Sequence, residues 1–250
     1  MSTTPQTVVL VHGAFADSSS WNGVIPRLHD AGHRVIAAAN PLRDLDDDAA
    51  YVRSVIESID GPVVVAGHSY GGSVMSLAAA GLDKVTALVY VASFLLEPGE
   101  STGELAGRFP GNQLGTALAP VPYPTADGPA DDLYIDQAKF REIFAADVDP
   151  ATATAMAATQ RPIAAQALAA PASAAAWKQI PSWSVIATQD LAVPLEASRF
   201  MAERAGARAI EVDASHAITV SQPEAVAEAI LEAASATATP ARDAAPSATR

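Results

Sequence analysis

The sequence predicts an α/β fold: a mostly parallel six-stranded sheet with helices on both faces and an inserted helical cap. Three observations carry this. Short apolar runs of strand length, rich in Val and Ile, recur along the chain, as in strands buried on both sheet faces. Helix-forming stretches lie between most of them, and strands that alternate with helices build parallel sheets. One long segment breaks the alternation, and a stretch of that length without elements of its own is uncommon inside a compact domain.

The strand candidates, in order, are Thr7–Val11, His33–Ala39, Pro62–Ala66, Val85–Val91, Trp183–Thr188 and Ala207–Val212. The helix candidates are Ser19–Ala31, Asp44–Ile59, Tyr70–Leu82, Pro194–Ala205 and Gln222–Ala234. Pro194 and Pro223 sit near helix starts, where a missing N–H costs nothing. From Leu96 to Ile180 no strand is convincing: the first half is rich in Gly and Pro, the second in Ala. Alanine is the best helix former, so Ala151–Ala170 is read as helix. The expected organisation is a core of residues 1–95 and 181–234, a helical cap of residues 96–180, and a tail, 235–250. The tail mixes Ala, Thr, Pro and Ser without periodicity and is expected to be disordered.

With 250 residues the chain can bury a large core within one domain. It has no cysteine, which removes disulfide scaffolds, thiolate–zinc sites and cysteine nucleophiles together. The net charge of −13 repels phosphate backbones and argues against nucleic acid as a partner. No apolar run approaches the roughly 20 residues of a membrane helix. The start, Met1 to Gln6, has neither a basic region nor an apolar one, so no secretion signal is read. The expectation is a cytoplasmic protein with a small-molecule substrate, no membrane partner and no metal. The acidic run Asp44, Asp46, Asp47 and Asp48 lacks the glycine and distal glutamate of a calcium loop. It reads instead as a helix start, where carboxylates meet the positive end of the dipole.

The sharpest signal is Gly67-His68-Ser69-Tyr70-Gly71-Gly72, set between a buried-strand pattern and a helix pattern. A serine on such a strand-to-helix turn is lifted clear of the sheet, and flanking glycines let neighbouring backbone approach. A serine hydroxyl needs a base to become a nucleophile. Of five histidines, His12, His29, His33 and His68 read as structural or surface residues. His216 follows the last strand candidate, at the strand end where open α/β sheets bind ligands. The histidine needs a carboxylate partner, and Asp190 stands directly after Trp183–Thr188. Glu97, beyond Val85–Val91, and Asp213, near His216, are its rivals. Oxyanion donors are expected from the N–H groups of Ala14 and Tyr70.

At these residues the chain resembles the α/β-hydrolase superfamily, and within it the small esterases grouped with plant methylesterases and hydroxynitrile lyases. The likeness lies in Val9 to Ala14 with Trp21, in Ala31 to Val35, in Gly67 to Gly72, and in Gln189-Asp190 with Ser215-His216. The segment Leu96–Ile180 matches only in position, as the family's cap. The resemblance implies a cofactor-free, two-step serine mechanism. In the lyases a threonine stands at the place of Gly13 and a lysine at that of Ala217, so lyase activity is disfavoured here. Haloalkane dehalogenation needs an aspartate where Ser69 stands. Cofactor-independent oxygenases and perhydrolases share the fold and remain an alternative, as does a non-catalytic receptor. Phe15 and Trp177 are the candidate substrate contacts. The other cap aromatics, Phe109, Tyr123, Tyr134, Phe140 and Phe144, are not placed by sequence alone.

Overall fold

The computed structural model describes residues 6–126 and 128–238. In chain order the first half of the core is β1 (Thr7–Val11), α1 (Ile25–Asp30), β2 (Arg34–Ala38), α2 (Leu45–Glu57), β3 (Val63–His68), α3 (Tyr70–Ala79) and β4 (Val85–Val91). The inserted segment holds α4 (Thr102–Gly107), β5 (Leu118–Thr125), β6 (Gly128–Ile135), α5 (Gln137–Phe144), α6 (Pro150–Thr159), β7 (Ile163–Ala164) and α7 (Ala165–Ala169). The core then resumes with β8 (Ser182–Ala187), α8 (Leu195–Ala205), β9 (Arg208–Val212), α9 (Ile218–Ser221) and α10 (Pro223–Ala236).

Six strands pair in the order β2-β1-β3-β4-β8-β9, every pair parallel. Strands β1 and β3 are buried along their whole length, while the edge strands β2 and β9 carry exposed residues. This is why the inner strands read as unbroken apolar runs: both of their faces are covered. Successive side chains point to opposite faces. Val9, Val11 and Val65 therefore pack with Val52, Met75 and Met201, from α2, α3 and α8. Val8, Leu10 and Val64 pack with Leu28 and Ile230, from α1 and α10.

The inserted segment departs from the sequence expectation of an all-helical cap. It contains an antiparallel sheet in the order β5-β6-β7. Strand β5 lies at its edge and carries Pro120, Pro122 and Pro124, each two residues apart. Alternate residues of an antiparallel edge strand turn their N–H away from the partner, so proline is tolerated there. The expected helix over Ala151–Ala170 is also interrupted. Helix α6 ends at Thr159, and Pro162, which disfavours helical backbone before it, leads into β7. Hydrogen bonds tie the cap to the core: Arg43 bonds Asp132 and the Pro162 carbonyl, and the Ala164 N–H donates to Leu42.

At the C-terminus, α10 continues to Ala236, two residues into the stretch expected to be disordered. The rest of that expectation, residues 239–250, lies outside the described residues. Among the described residues no helix is long and apolar enough to cross a membrane.

Candidate active site

Ser69 stands between β3 and α3 with φ 53° and ψ −129°, a backbone conformation that L side chains rarely adopt. Three hydrogen bonds hold it there. Its N–H donates to the Val91 carbonyl at 3.1 Å, and its own carbonyl accepts from Gly72 N–H at 2.9 Å and Ser93 Oγ at 2.5 Å. The turn is tight enough to exclude side chains from its neighbours. A Cβ on Gly13 would lie 2.7 Å from Ser69 Cβ, and one on Gly71 would meet the Val11 carbonyl. The glycines seen in the motif are thus required by close approach of β1 to the turn.

The structure brings together the three residues that sequence reasoning picked out. His216 Nε2 lies 2.8 Å from Ser69 Oγ, and His216 Nδ1 lies 2.7 Å from Asp190 Oδ2. A carboxylate oxygen only accepts, so Nδ1 carries the proton and Nε2 accepts from the serine hydroxyl. The other oxygen of Asp190 accepts from the N–H groups of Ala192 and Val193 at 2.7 and 2.8 Å. The whole chain of bonds is buried. The rival acids are elsewhere: Glu97 pairs with Lys178, and Asp213 is exposed near Thr188.

Ala14, Phe15, Ser69, Tyr70, Phe144 and His216 border a cavity of about 210 Å³ that extends along α4 and α7 of the cap. Its walls are mostly apolar. Among the described residues the Ala14 N–H has no protein acceptor, whereas the Phe15 N–H donates to the Arg161 carbonyl of the cap at 3.0 Å. Tyr70 is the first residue of α3, so its N–H precedes the helix's own hydrogen-bond ladder. Phe144 packs edge-on against His216, with centroids 4.8 Å apart.

Of the two expected substrate contacts, Phe15 borders the cavity and Trp177 does not. The indole N–H of Trp177 donates to the Leu96 carbonyl at 2.9 Å, and its ring lies near Lys178 and Arg204. It seals the junction where the cap leaves and rejoins the core. Tyr123 is likewise outside, beneath the Arg43 guanidinium.

Sequence reasoning missed Asp48. This carboxyl is fully buried and accepts from the Tyr70 hydroxyl at 2.9 Å and from the Arg43 N–H at 3.1 Å. Burial pushes its pKa upward. Burial and then the Asp48 charge push that of Tyr70 upward too. The signal was in the period: Leu45, Asp48, Ala49, Val52 and Ile56 form one inward stripe of α2. Asp44, by contrast, caps that helix, its side chain accepting from Asp46 and Asp47 N–H as the reading of the acidic run required. Among the described residues no group of acidic or histidine side chains could hold a metal ion.

A strained serine at a strand-to-helix turn, a buried histidine and a carboxylate, all beside a parallel sheet, define the hydrolase class to which comparison also assigns the chain. Residues 8–229 match the alpha/beta hydrolase family, and the protein belongs to that family. It is 28% identical to a pyrethroid hydrolase of Sphingobium wenxiniae, the match covering 92% of this chain and 88% of that one. It is 30% identical to Methylesterase 8 of Arabidopsis thaliana over 46% of this chain and 49% of that protein. The fold is also that of polyneuridine aldehyde esterase, with a TM-score of 0.80, 21% identity, and coverage of 92% and 99%. The resemblance to methylesterases read from the sequence is therefore matched by named relatives.

Proposed function

We propose that the protein is a carboxylic ester hydrolase that works through a serine-bound acyl intermediate. The observation that carries this is the buried run of hydrogen bonds from Ser69 through His216 to Asp190, opening on an apolar cavity. Named relatives support the substrate class, being a pyrethroid hydrolase and a methylesterase.

In this reading Ser69 Oγ attacks the ester carbonyl as its proton passes to His216 Nε2. The carbonyl oxygen, now negative, is held by the N–H groups of Ala14 and Tyr70, and removing one such donor typically costs 10²–10³ in rate. Asp190 fixes the tautomer of His216 and stabilises the imidazolium. His216 then returns the proton to the departing alkoxide, and water cleaves the acyl-serine by the same steps in reverse. Ala217, buried beside His216, offers no charge for a leaving cyanide, consistent with hydrolysis rather than lyase chemistry.

The test is labelling with a fluorophosphonate probe followed by peptide mapping, together with turnover of p-nitrophenyl and methyl esters. Modification at Ser69 and ester turnover that both vanish in Ser69→Ala are the expected results. An unlabelled protein that still turns over esters would remove Ser69 from the mechanism.

A further inference from the structure

The wall of the catalytic cavity is apolar apart from the side chains of Ser69, Tyr70, Thr102, Asn112 and His216. All but one of these are paired within the protein. Ser69 and His216 bond each other, the Tyr70 hydroxyl donates to Asp48, and the Thr102 hydroxyl is paired with that of Ser73. Asn112 is only half satisfied. Its Nδ2 donates to the Ala106 carbonyl at 3.1 Å and to the Ala192 carbonyl at 2.9 Å, which uses both amide hydrogens. Its Oδ1 has no partner among the described residues, and it is not sealed inside the protein.

Those two donations fix the side chain. Turning the amide over would set Oδ1 against two carbonyl oxygens, so the nitrogen and oxygen are assigned by their surroundings. The backbone is anchored as well, since the Gln113 N–H donates to the Leu191 carbonyl at 2.7 Å. Asn112 thus ties α4 of the cap to the loop that follows Asp190, and Ala106 and Ala192, whose carbonyls it holds, also border the cavity. The free oxygen is therefore a preset acceptor on a mostly apolar wall.

What such an acceptor selects follows from desolvation. An ester that fills the cavity takes water away from Oδ1. A hydrocarbon chain then leaves the oxygen unmatched, at a cost in free energy, whereas a hydroxyl or amide N–H restores the bond. Along the rest of the wall the sign is opposite, because an apolar surface favours a methyl group over a hydroxyl. We propose that Asn112 is a specificity-determining residue: its Oδ1 accepts a hydrogen bond from the substrate, and the preferred ester carries a hydroxyl or amide N–H where it meets this wall. The inference rests on the esterase reading and adds to it the polar group that the substrate should bear.

The experiment compares methyl esters of β-hydroxybutyric, ω-hydroxyhexanoic, and meta- and para-hydroxyphenylacetic acids. Each is set against the same ester with methyl in place of hydroxyl, and with methoxy, which accepts a hydrogen bond but cannot donate one. In the wild-type protein at least one hydroxyl ester should exceed its methyl counterpart in kcat/KM by about tenfold, and its methoxy counterpart should not. In Asn112→Leu, of nearly equal volume, that hydroxyl-to-methyl ratio should fall to about one or below. A merely structural role would lower both esters alike and leave the ratio unchanged. Hydroxyl esters no better than their methyl counterparts throughout, methoxy esters as good as hydroxyl ones, or a preference that survives Asn112→Leu would each overturn the proposal. Should that variant fail to fold, the wild-type series decides the matter. Failure of the esterase reading looks different: Ser69→Ala would then turn over the whole panel as the wild type does.

Discussion

His68 and His216 are joined ring to backbone: His68 Nε2 donates to the main-chain oxygen of His216 at 2.8 Å, and the two rings lie 4.8 Å apart. The bond fixes the His68 tautomer and leaves its buried Nδ1 without a partner among the described residues. Burial, and then the neighbouring His216, push the His68 pKa down to about 3. A neutral His68 matters to the proposed chemistry, because a second positive ring beside His216 would oppose the imidazolium formed during turnover.

Stability should therefore decline in mild acid. His68 and His12 are both buried and neutral, with pKa values lowered by burial from 6.5 to about 3 and about 4. Below pH 6.5 the unfolded chain binds protons that these folded rings refuse, so stability is complete above that pH and falls as pH drops toward 4. Each ring contributes up to about 1.4 kcal/mol per pH unit. Urea unfolding between pH 8 and 4.5 measures the slope, and His68→Gln should reduce it by about one proton. A profile as steep in His68→Gln as in the wild type would show that His68 titrates freely.

Ser69→Ala should lower kcat by on the order of 10⁴–10⁶, and Asp190→Asn by about 10⁴. His216→Ala should match the serine variant, and the Ser69→Ala/His216→Ala double variant should be no slower than either. Such groups act as a unit, so their losses do not add. Circular dichroism must show native folding throughout. If the double variant lost the product of the two single effects, the residues would be acting independently.

Trp177→Ala should behave as a stability variant. Truncating a buried tryptophan costs about 3–5 kcal/mol, and its indole bond to Leu96 is lost as well. Thermal melting should fall by several degrees, at roughly 2–4 °C per kcal/mol for a chain of this size. The preference between acetate and octanoate esters should stay as it was. A changed acyl preference at unchanged melting temperature would put the ring back in the substrate path.

What the sequence disclosed, and what it withheld, follows from where each element is buried. Inner strands such as β1 and β4 lie under helices on both sides, and continuous burial writes itself as a continuous apolar run. Strand β5 is half exposed at the edge of a small sheet, and its alternating prolines resemble a loop unless the edge position is already known. Ser69, Asp190 and His216 were legible because each stands directly beyond or shortly after the end of a strand of the parallel sheet, β3, β8 and β9 in turn. Trp177 was not, since it looked like a pocket aromatic, and Asp48 was grouped with the helix-start carboxylates although it falls on the inward stripe of α2. Only three-dimensional placement, against Leu96 for the first and Tyr70 for the second, gives their roles.

The backbone at Ser69 has a consequence for how this protein could drift. A non-glycine residue in such a conformation costs on the order of 1–3 kcal/mol, a cost that glycine escapes. Ser69→Gly should thus be an inactive protein that melts above the wild type, or close to it if the lost Oγ bond to His216 offsets the relief. Differential scanning calorimetry would decide, and a melting temperature several degrees lower would mean the turn carries no such burden. Selection for durability alone would then favour a dead enzyme. A lineage released from the need for turnover would be expected to shed its nucleophile early, while its scaffold persisted.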